Sequence, residues 1–287
     1  MADGRHAVSL ISPLAATGRA DEVVQRVSQA IQLGLFTDGE QLPPETDFAA
    51  QLGVSAMTLR EALAILRQQG LVETRRGRTG GTFIRRPNAP QIGLLRDRLG
   101  GMTTSALRDL ADEQFAVSGT AARLAAARAS GVSVRRLLTL ADQLAGAPTL
   151  GSRIRADSRF HIEVAIASQS ERLTMLEVAL QTKLAEFLWL PPLPAASPVR
   201  PLDPAALEPT VHASAAGDQR VLDQAVPDQT MLDQPVLDPA EAAAEHAAIA
   251  AAIAAEDGDE ARELAELHVE RNLRHLTALR LGLPAQP

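Results

Sequence analysis

Apolar positions follow a helical period first, then a strand period, then a helical period to the end of the chain. From Ala20 to about Leu33, Val23, Val24, Val27, Ile31 and Leu35 fall on one helical face, and Gly34 with the Thr37-Asp38-Gly39 turn ends the run. A short helix is predicted from the proline start at Pro43-Pro44 to the stop at Gly53. Val54 follows, then Ser55, placed to cap a third helix through Met57, Leu59, Leu63, Ile65 and Leu66 up to Gly70. Residues 71–76 and 82–86 read as two strands around the turn Gly77-Arg78-Thr79-Gly80-Gly81. From about Thr103 the pattern is wholly helical, with helices predicted over 104–129, 133–145, 151–168, 170–190, 239–256 and 258–281. The expected fold is mainly α: an N-terminal winged helix-turn-helix of three helices and a β-hairpin wing, followed by an all-α helical bundle.

These runs set the domain boundaries. Residues 1–17 form a flexible tail, 18–87 the winged unit, 88–102 a linker opened by Pro87-Asn88-Ala89-Pro90, and 103–283 the helical domain. Within the last, 192–238 is a low-complexity insertion in which Asp-Gln recurs every five residues at 218, 223, 228 and 233. A period of five suits neither helix nor strand, and Pro227 and Pro235 interrupt it, so disorder is expected there.

Composition narrows the class. Aromatics are 2% of 287 residues, so the core must be built from Ala, Leu, Val and Ile, which favours helices. No apolar run approaches the ~20 residues of a membrane span, and the start is too polar for a secretory signal. Cysteine is absent, which excludes thiolate metal sites and cysteine nucleophiles. A cytoplasmic location is the expectation.

The chain carries a formal charge of −7, yet from Arg60 to Arg86 seven arginines face two glutamates, a local balance of 7 − 2 = +5. A basic strip on an acidic protein, lying on a helix-turn-helix and its wing, is what a phosphate-facing surface needs. Leu42-Pro43-Pro44-Glu45, Val54-Ser55, Thr58-Leu59-Arg60-Glu61-Ala62-Leu63, Gly70-Leu71-Val72 and Gly80-Gly81-Thr82-Phe83 together resemble the GntR family of bacterial winged-helix regulators. The resemblance implies DNA contacts from Glu45, Ser55, Thr58, Arg60, Arg76, Gly77 and Arg78. Thr46 and Ala56 stand where relatives often carry a DNA-contacting arginine, and those contacts are not carried over.

A second site is expected in the helical domain. Asp157 and His161, four residues apart, lie on one helical face where they can share a metal ion. His246 and His268 fall on the apolar-facing sides of their helices, and one carboxylate with three imidazoles suits zinc, nickel or a similar divalent ion. Each histidine alone could equally be a partly buried polar residue, and periodicity does not bring the helices together. The order Asp157-Ser158-Arg159-Phe160-His161, then His246, the 256–259 turn and His268 resembles the ligand-sensing domain called FCD, in its metal-binding, FadR-like branch. That resemblance implies convergence of Asp157, His161, His246 and His268 on one ion. It also implies a small-molecule effector, an organic acid, for which Arg123, Arg153 and Asn272 are candidate contacts. Gln114 and Ser118 replace an arginine and a glutamate frequent in relatives, and Ser170 an asparagine.

A DNA reader joined to a pocket-bearing bundle implies a ligand-responsive regulator, expected to be a repressor on a palindromic operator of double-stranded DNA, bound as a homodimer. A metal-responsive repressor, in which the ion is the signal, is the alternative. A metal-dependent hydrolase is more remote, since Glu163 is the sole candidate base and the DNA reader would be unexplained. No membrane partner is expected.

Overall fold

The computed structural model describes residues 20–77, 80–85, 92–191 and 237–282. The tail, the wing-tip residues Arg78 and Thr79, the Pro87–Pro90 stretch and the repeats at 218–234 lie outside the described residues. Ten helices and one two-stranded antiparallel sheet are present among the described residues.

The reader begins with α1 (Ala20–Gln32), whose buried face is Val23, Val27, Ala30 and Ile31. Helix α2 (Glu45–Leu52) starts after Pro44 and ends at Gly53, whose φ of 70° is the left-handed conformation that glycine adopts at least cost. Helix α3 (Ala56–Gln68) is capped by Ser55, whose hydroxyl accepts the Thr58 N–H at 3.0 Å. Leu59, Leu63 and Leu66 are buried as the pattern requires, whereas Met57, in the same run, is 77% exposed. The reason is phase: two residues before Leu59 on a 100° helical step, Met57 lies on the opposite flank.

Strands β1 (Val72–Arg75) and β2 (Gly81–Ile84) pair antiparallel with Val72 opposite Ile84 and Arg75 opposite Gly81. The wing also gains a third, short pairing that alternation does not reveal. Leu42 N–H donates to the Thr82 carbonyl and Ile84 N–H to the Glu40 carbonyl, both at 2.8 Å, so residues beyond the 37–39 turn extend the sheet.

Residues expected to be linker contain helix α4 (Ile92–Gly101). Leu95 and Leu99, one turn apart, bury a stripe too narrow to read as a helix from sequence, and Arg98 ties α4 to Glu186 at 2.9 Å.

The bundle consists of α5 (Thr104–Arg128), α6 (Gly131–Ala145), α7 (Leu150–Ala167), α8 (Glu171–Leu188), α9 (Pro239–Ala254) and α10 (Gly258–Gly282). Helix α5 packs along α10, α9 on α6, and α7 on α5, α6 and α8. Small buried residues let α5 approach α10 closely: Ala121, Ala122 and Ala125 share one buried cluster with Ala261 and Ala265 at that seam. Helix α6 starts earlier than Ser133, because Ser130 is its cap and accepts the Ser133 N–H at 3.2 Å. One apolar core runs without a break from Val27 and Leu59 in the reader to Leu99, Leu184 and Leu276 in and beside the bundle. Leu190 and Leu237, which bracket residues 191–236, are both buried in it.

Candidate metal centre and DNA interface

Thr149 and Ser152 cap α7 reciprocally, which fixes where its turns fall. Asp157 and His161 then project from successive turns toward His246 on α9 and His268 on α10. One ligand atom from each of the four lies within 4.8 Å of all the others, and all four side chains are buried. His161 Nε2 and His246 Nε2 stand 3.8 Å and 3.5 Å from Asp157 Oδ1, and the three imidazole centroids form a near-equilateral triangle of 4.9–5.1 Å sides. The Phe160 ring stacks on His246 at 3.9 Å and sets its plane. Convergence of these helices, which periodicity could not supply, is thus a feature of the structure.

The donor atoms suit a cation. Asp157 Oδ2, His161 Nε2 and both nitrogens of His246 are buried with no hydrogen-bond partner. Burial, reinforced by the charge of His268, holds the His161 and His246 imidazoles well below the ordinary histidine range, so both are neutral, the ligating form. Burial pushes the Asp157 carboxyl up to about 6, against the attraction of His268 and Arg271. His268 Nδ1 meets Glu245 Oε2 at 2.6 Å, which directs its Nε2 inward, where Asn272 Nδ2 approaches at 3.0 Å. Glu245 also pairs with Arg271. The four residues fit a divalent ion of the zinc or nickel kind.

A polar wall adjoins this cluster. Glu177 on α8 accepts from Ser118 at 2.8 Å and from Gln181 at 2.9 Å. Burial raises its pKa first, and the Asp157 charge adds to the shift. Gln114 Nε2, Gln181 Oε1 and Asn272 Oδ1 are buried without partners. Sequence reading named Asn272 and noted Gln114 and Ser118 as departures but passed over Glu177 and Gln181. Their only signal was polar residues one turn apart on the inner face of α8.

The other expected effector contacts sit elsewhere. Arg123 pairs with Asp259 at 3.3 Å on the surface, and Arg153 donates to the Ala147 carbonyl at 3.2 Å. His275 Nε2 is 3.0 Å from the Leu188 carbonyl, away from the four. Glu163 is paired with Arg136 at 3.1 Å.

In the reader, Ser55 and Thr58 share a 2.8 Å hydroxyl contact at the start of α3, and Arg60 projects from the exposed face one half-turn on. Its guanidinium meets Glu45 of α2 at 2.7 Å, joining two of the expected DNA contacts into one exposed pair. Met57, three residues before Arg60 on the same helix, is 77% exposed. On the wing, Arg76 and Gly77 are exposed, and Arg78 lies outside the described residues. Arg75 lies over Phe83 at 4.2 Å and, with Arg85, pairs with Glu73, whose carboxyl the Arg75 hydrogen bond lowers despite some burial cost.

Comparisons with known proteins agree with this division. Residues 19–84 match the family described as bacterial regulatory proteins, gntR family, and residues 109–218 match the FCD domain, a stretch that ends before His246 and His268. A Mycobacterium gastri protein described as the HTH-type transcriptional regulator RmpR is 37% identical over 265 residues, covering 92% of this chain and 82% of that one. An Escherichia coli K12 protein, described as an L-lactate dehydrogenase operon regulatory protein, is 35% identical over 53% of this chain and 59% of its own. The solved E. coli McbR/YncC structure aligns with a TM-score of 0.45 and 15% identity over 90% of this chain and 96% of that one. No helix among the described residues is long and apolar enough to cross a membrane. The chain belongs to the GntR family of DNA-binding transcriptional regulators, with an FCD ligand-binding domain after its reader, and is a regulator rather than an enzyme.

Proposed function

We propose that this chain is a ligand-responsive repressor that binds a palindromic operator as a homodimer and senses a small carboxylate at a divalent ion held by Asp157, His161, His246 and His268. The observation that carries the reading is the enclosure of these four side chains, one ligand atom of each within 4.8 Å of the others, with Asp157 Oδ2, His161 Nε2 and both His246 nitrogens lacking any hydrogen-bond partner. When bound, the ion would supply a Lewis-acidic point to which a carboxylate oxygen can attach. His268 Nε2 has one lone pair, which now faces the Asn272 amide, so a His268 that held an ion would leave that amide free to donate to another acceptor. The E. coli relative is named for an operon that handles L-lactate, itself a carboxylate.

The domain limits proposed are 18–87 for the reader and 103–283 for the sensor, with 192–238 inserted in it. Ser55 and Thr58 would meet backbone at the start of α3, with Arg60 and Glu45 at base edges and Arg76, Gly77 and Arg78 on the wing against phosphates. A DNA target makes the cytoplasm the site of action. Helix α7 links the halves, because it bears Asp157 and His161 while Arg155, two residues earlier, lies along Gly34 of the reader. An effector that shifts α7 biases the reader, a coupling of ~1–3 kcal/mol.

Native mass spectrometry of the purified full chain, with metal analysis, tests this reading. One ion per protomer in a dimer supports it; protein offered zinc and nickel that takes up neither refutes it. The enclosure of the four ligands also favours a second reading, in which the ion alone is the signal. Release of operator DNA by metal without any small molecule would select it.

A further inference from the structure

We infer that the cavity between the reader and the flank of α7 turned away from Asp157 is a second ligand site, which takes a small molecule bearing a phosphate monoester. This site is separate from the metal centre and does not depend on an ion being bound there.

The site begins in the phase of α7. Ser152, Arg155, Ala156 and Arg159 recur at helical spacing on one face and line a cavity of about 560 Å³. Asp157 and His161 each lie two residues beyond one of these arginines, a rotation of roughly 200° about the helix axis, and so face the other way. Arg136 of α6 closes one side of the cavity, and Gly34, Leu35 and Thr37 of the reader close another. Gly34 has no side chain to push Arg155 away, and the stem of the arginine lies along it. The volume is that of a metabolite pocket, for which ~300–1,000 Å³ is usual. Thr139 and Gln143 in the lining are exposed, so a solute can enter without parting the two halves.

Charge identifies the occupant. Among the described residues the lining holds three guanidinium groups and no acidic side chain, on a chain whose formal charge is −7. The nearby carboxylates stand outside the lining: Glu163 pairs with Arg136 at 3.1 Å, and the charge of Asp38 acts on Arg155. Three cations against those two anions leave the cavity positive, and its low-dielectric walls focus that field. Arg155 and Arg159 are four apart on one helix, a spacing at which like charges disfavour the helix unless an anion lies between them. A guanidinium holds oxyanions through a planar fork of donors, and a phosphate monoester offers three terminal oxygens and close to two negative charges. A carboxylate offers two oxygens and one charge. Thr37, Thr139 and Gln143 supply hydroxyl and amide groups for the rest of the molecule. DNA is the other source of phosphate for this protein, but no described residue of α2, α3 or the wing lines the cavity. With walls from the reader and from α6 and α7, an occupant braces the reader on the sensor.

Glycerol 3-phosphate, inorganic phosphate and acetate test this, each titrated calorimetrically into the full-length protein before and after dialysis against a chelator. Both phosphates should bind in both preparations, and acetate about tenfold more weakly. Arg155→Lys keeps a stem on Gly34 and the charge but loses the fork. That variant, and separately Arg159→Gln, should weaken glycerol 3-phosphate about tenfold or more, the effect of one charge-assisted hydrogen bond. Arg262→Gln, which removes the same charge from an exposed pair on α10, should not. Saturating glycerol 3-phosphate should also change operator affinity; no change overturns the bracing. Phosphate binding that vanishes with the chelator while helical content stays places the anion on the ion and overturns the inference. Affinity undiminished in both arginine variants, or no phosphate binding at millimolar concentration, overturns it too. Acetate binding as tightly as phosphate overturns the ligand class. If Arg159→Gln weakens operator binding and flattens its salt dependence while neither phosphate binds, the arginines serve DNA instead. Melting temperature is measured for each variant, and because the two arginines are changed singly, loss of the fold in one leaves the other to decide.

Discussion

Arg155 lies along Gly34 so closely that a Cβ placed on the glycine would stand 3.0 Å from the arginine Cβ and 3.1 Å from its Cγ. Gly34 also has a φ of +72°, which side-chain-bearing residues adopt at a cost of ~1–2 kcal/mol. Gly34→Ala should therefore lower stability by at least that amount and disturb the seat of the reader on α7. The sharper readout is regulation: operator affinity, measured by fluorescence anisotropy with and without effector, should respond less in the variant. An unchanged melting temperature together with an unchanged response would show that this contact couples nothing.

The exposed Arg60–Glu45 pair gives a prediction at the DNA. Arg60→Ala should cost ~1–3 kcal/mol of operator binding and narrow the gap between operator and random sequence, as loss of a base contact does. Arg76→Ala, on the wing, should weaken both DNAs alike and reduce the slope of log affinity against log salt by ~1. If the two variants behave identically, the division between base-reading helix and phosphate-holding wing is wrong.

Glu245 has a separate role from the ligands, since it fixes the tautomer of His268 through the 2.6 Å contact. Glu245→Gln should lower zinc affinity by ~10–100-fold without abolishing it. His161→Ala and His268→Ala should lose the ion outright. His275→Ala should keep it, because that ring faces the Leu188 carbonyl. Metal content of the four variants after dialysis against a weak chelator checks the ranking.

The pH dependence follows from the buried charges. Asp157 is pushed up to about 6 without metal, so protons compete with the ion, and occupancy should fall as pH drops through about 6. For the metal-free fold the signs are opposed. His161 and His246 are depressed, so they contribute stability present above the unfolded histidine value and lost as pH falls below it. Asp157 is raised, so its contribution is present below the unfolded aspartate value and lost as pH rises through about 6. The two depressed histidines oppose two raised carboxyls, Asp157 and the buried Glu177, and because the histidine change begins at the unfolded histidine value inside this window, the apo melting temperature should rise from pH 5 to pH 7. Zinc at 100 times its dissociation constant should add ~2.7 kcal/mol at the upper end. A flat apo profile would show that these histidines are not held neutral.

The reader was legible because its signals are local. Pro44, the left-handed Gly53, the Ser55 cap and the alternation at 71–76 each act within a few residues of themselves. Helix α4 was missed because its buried residues, Leu95, Leu99 and Gly100, make a stripe too short to show a helical period, with Leu94 beside them exposed. In the sensor, the i, i+4 pair Asp157 and His161 was readable from sequence. Its meeting with His246 and His268 depends on how α7, α9 and α10 pack, which periodicity does not encode. The wall residues Glu177 and Gln181 gave less still, for a buried polar residue and an exposed one look alike until their neighbours are known.

Leu190 and Leu237, on either side of residues 191–236 in the sequence, are both buried in the core, with Asp157 and His161 upstream of them and His246 and His268 downstream. Closure entropy grows only logarithmically with the number of residues enclosed, so doubling such a tract costs about 0.6 kcal/mol. Replication slippage could add or drop five-residue copies there while the same four side chains still meet. A change of length between Leu190 and Leu237 is thus expected to leave the four side chains together, so that chains of different length would carry the same sensor.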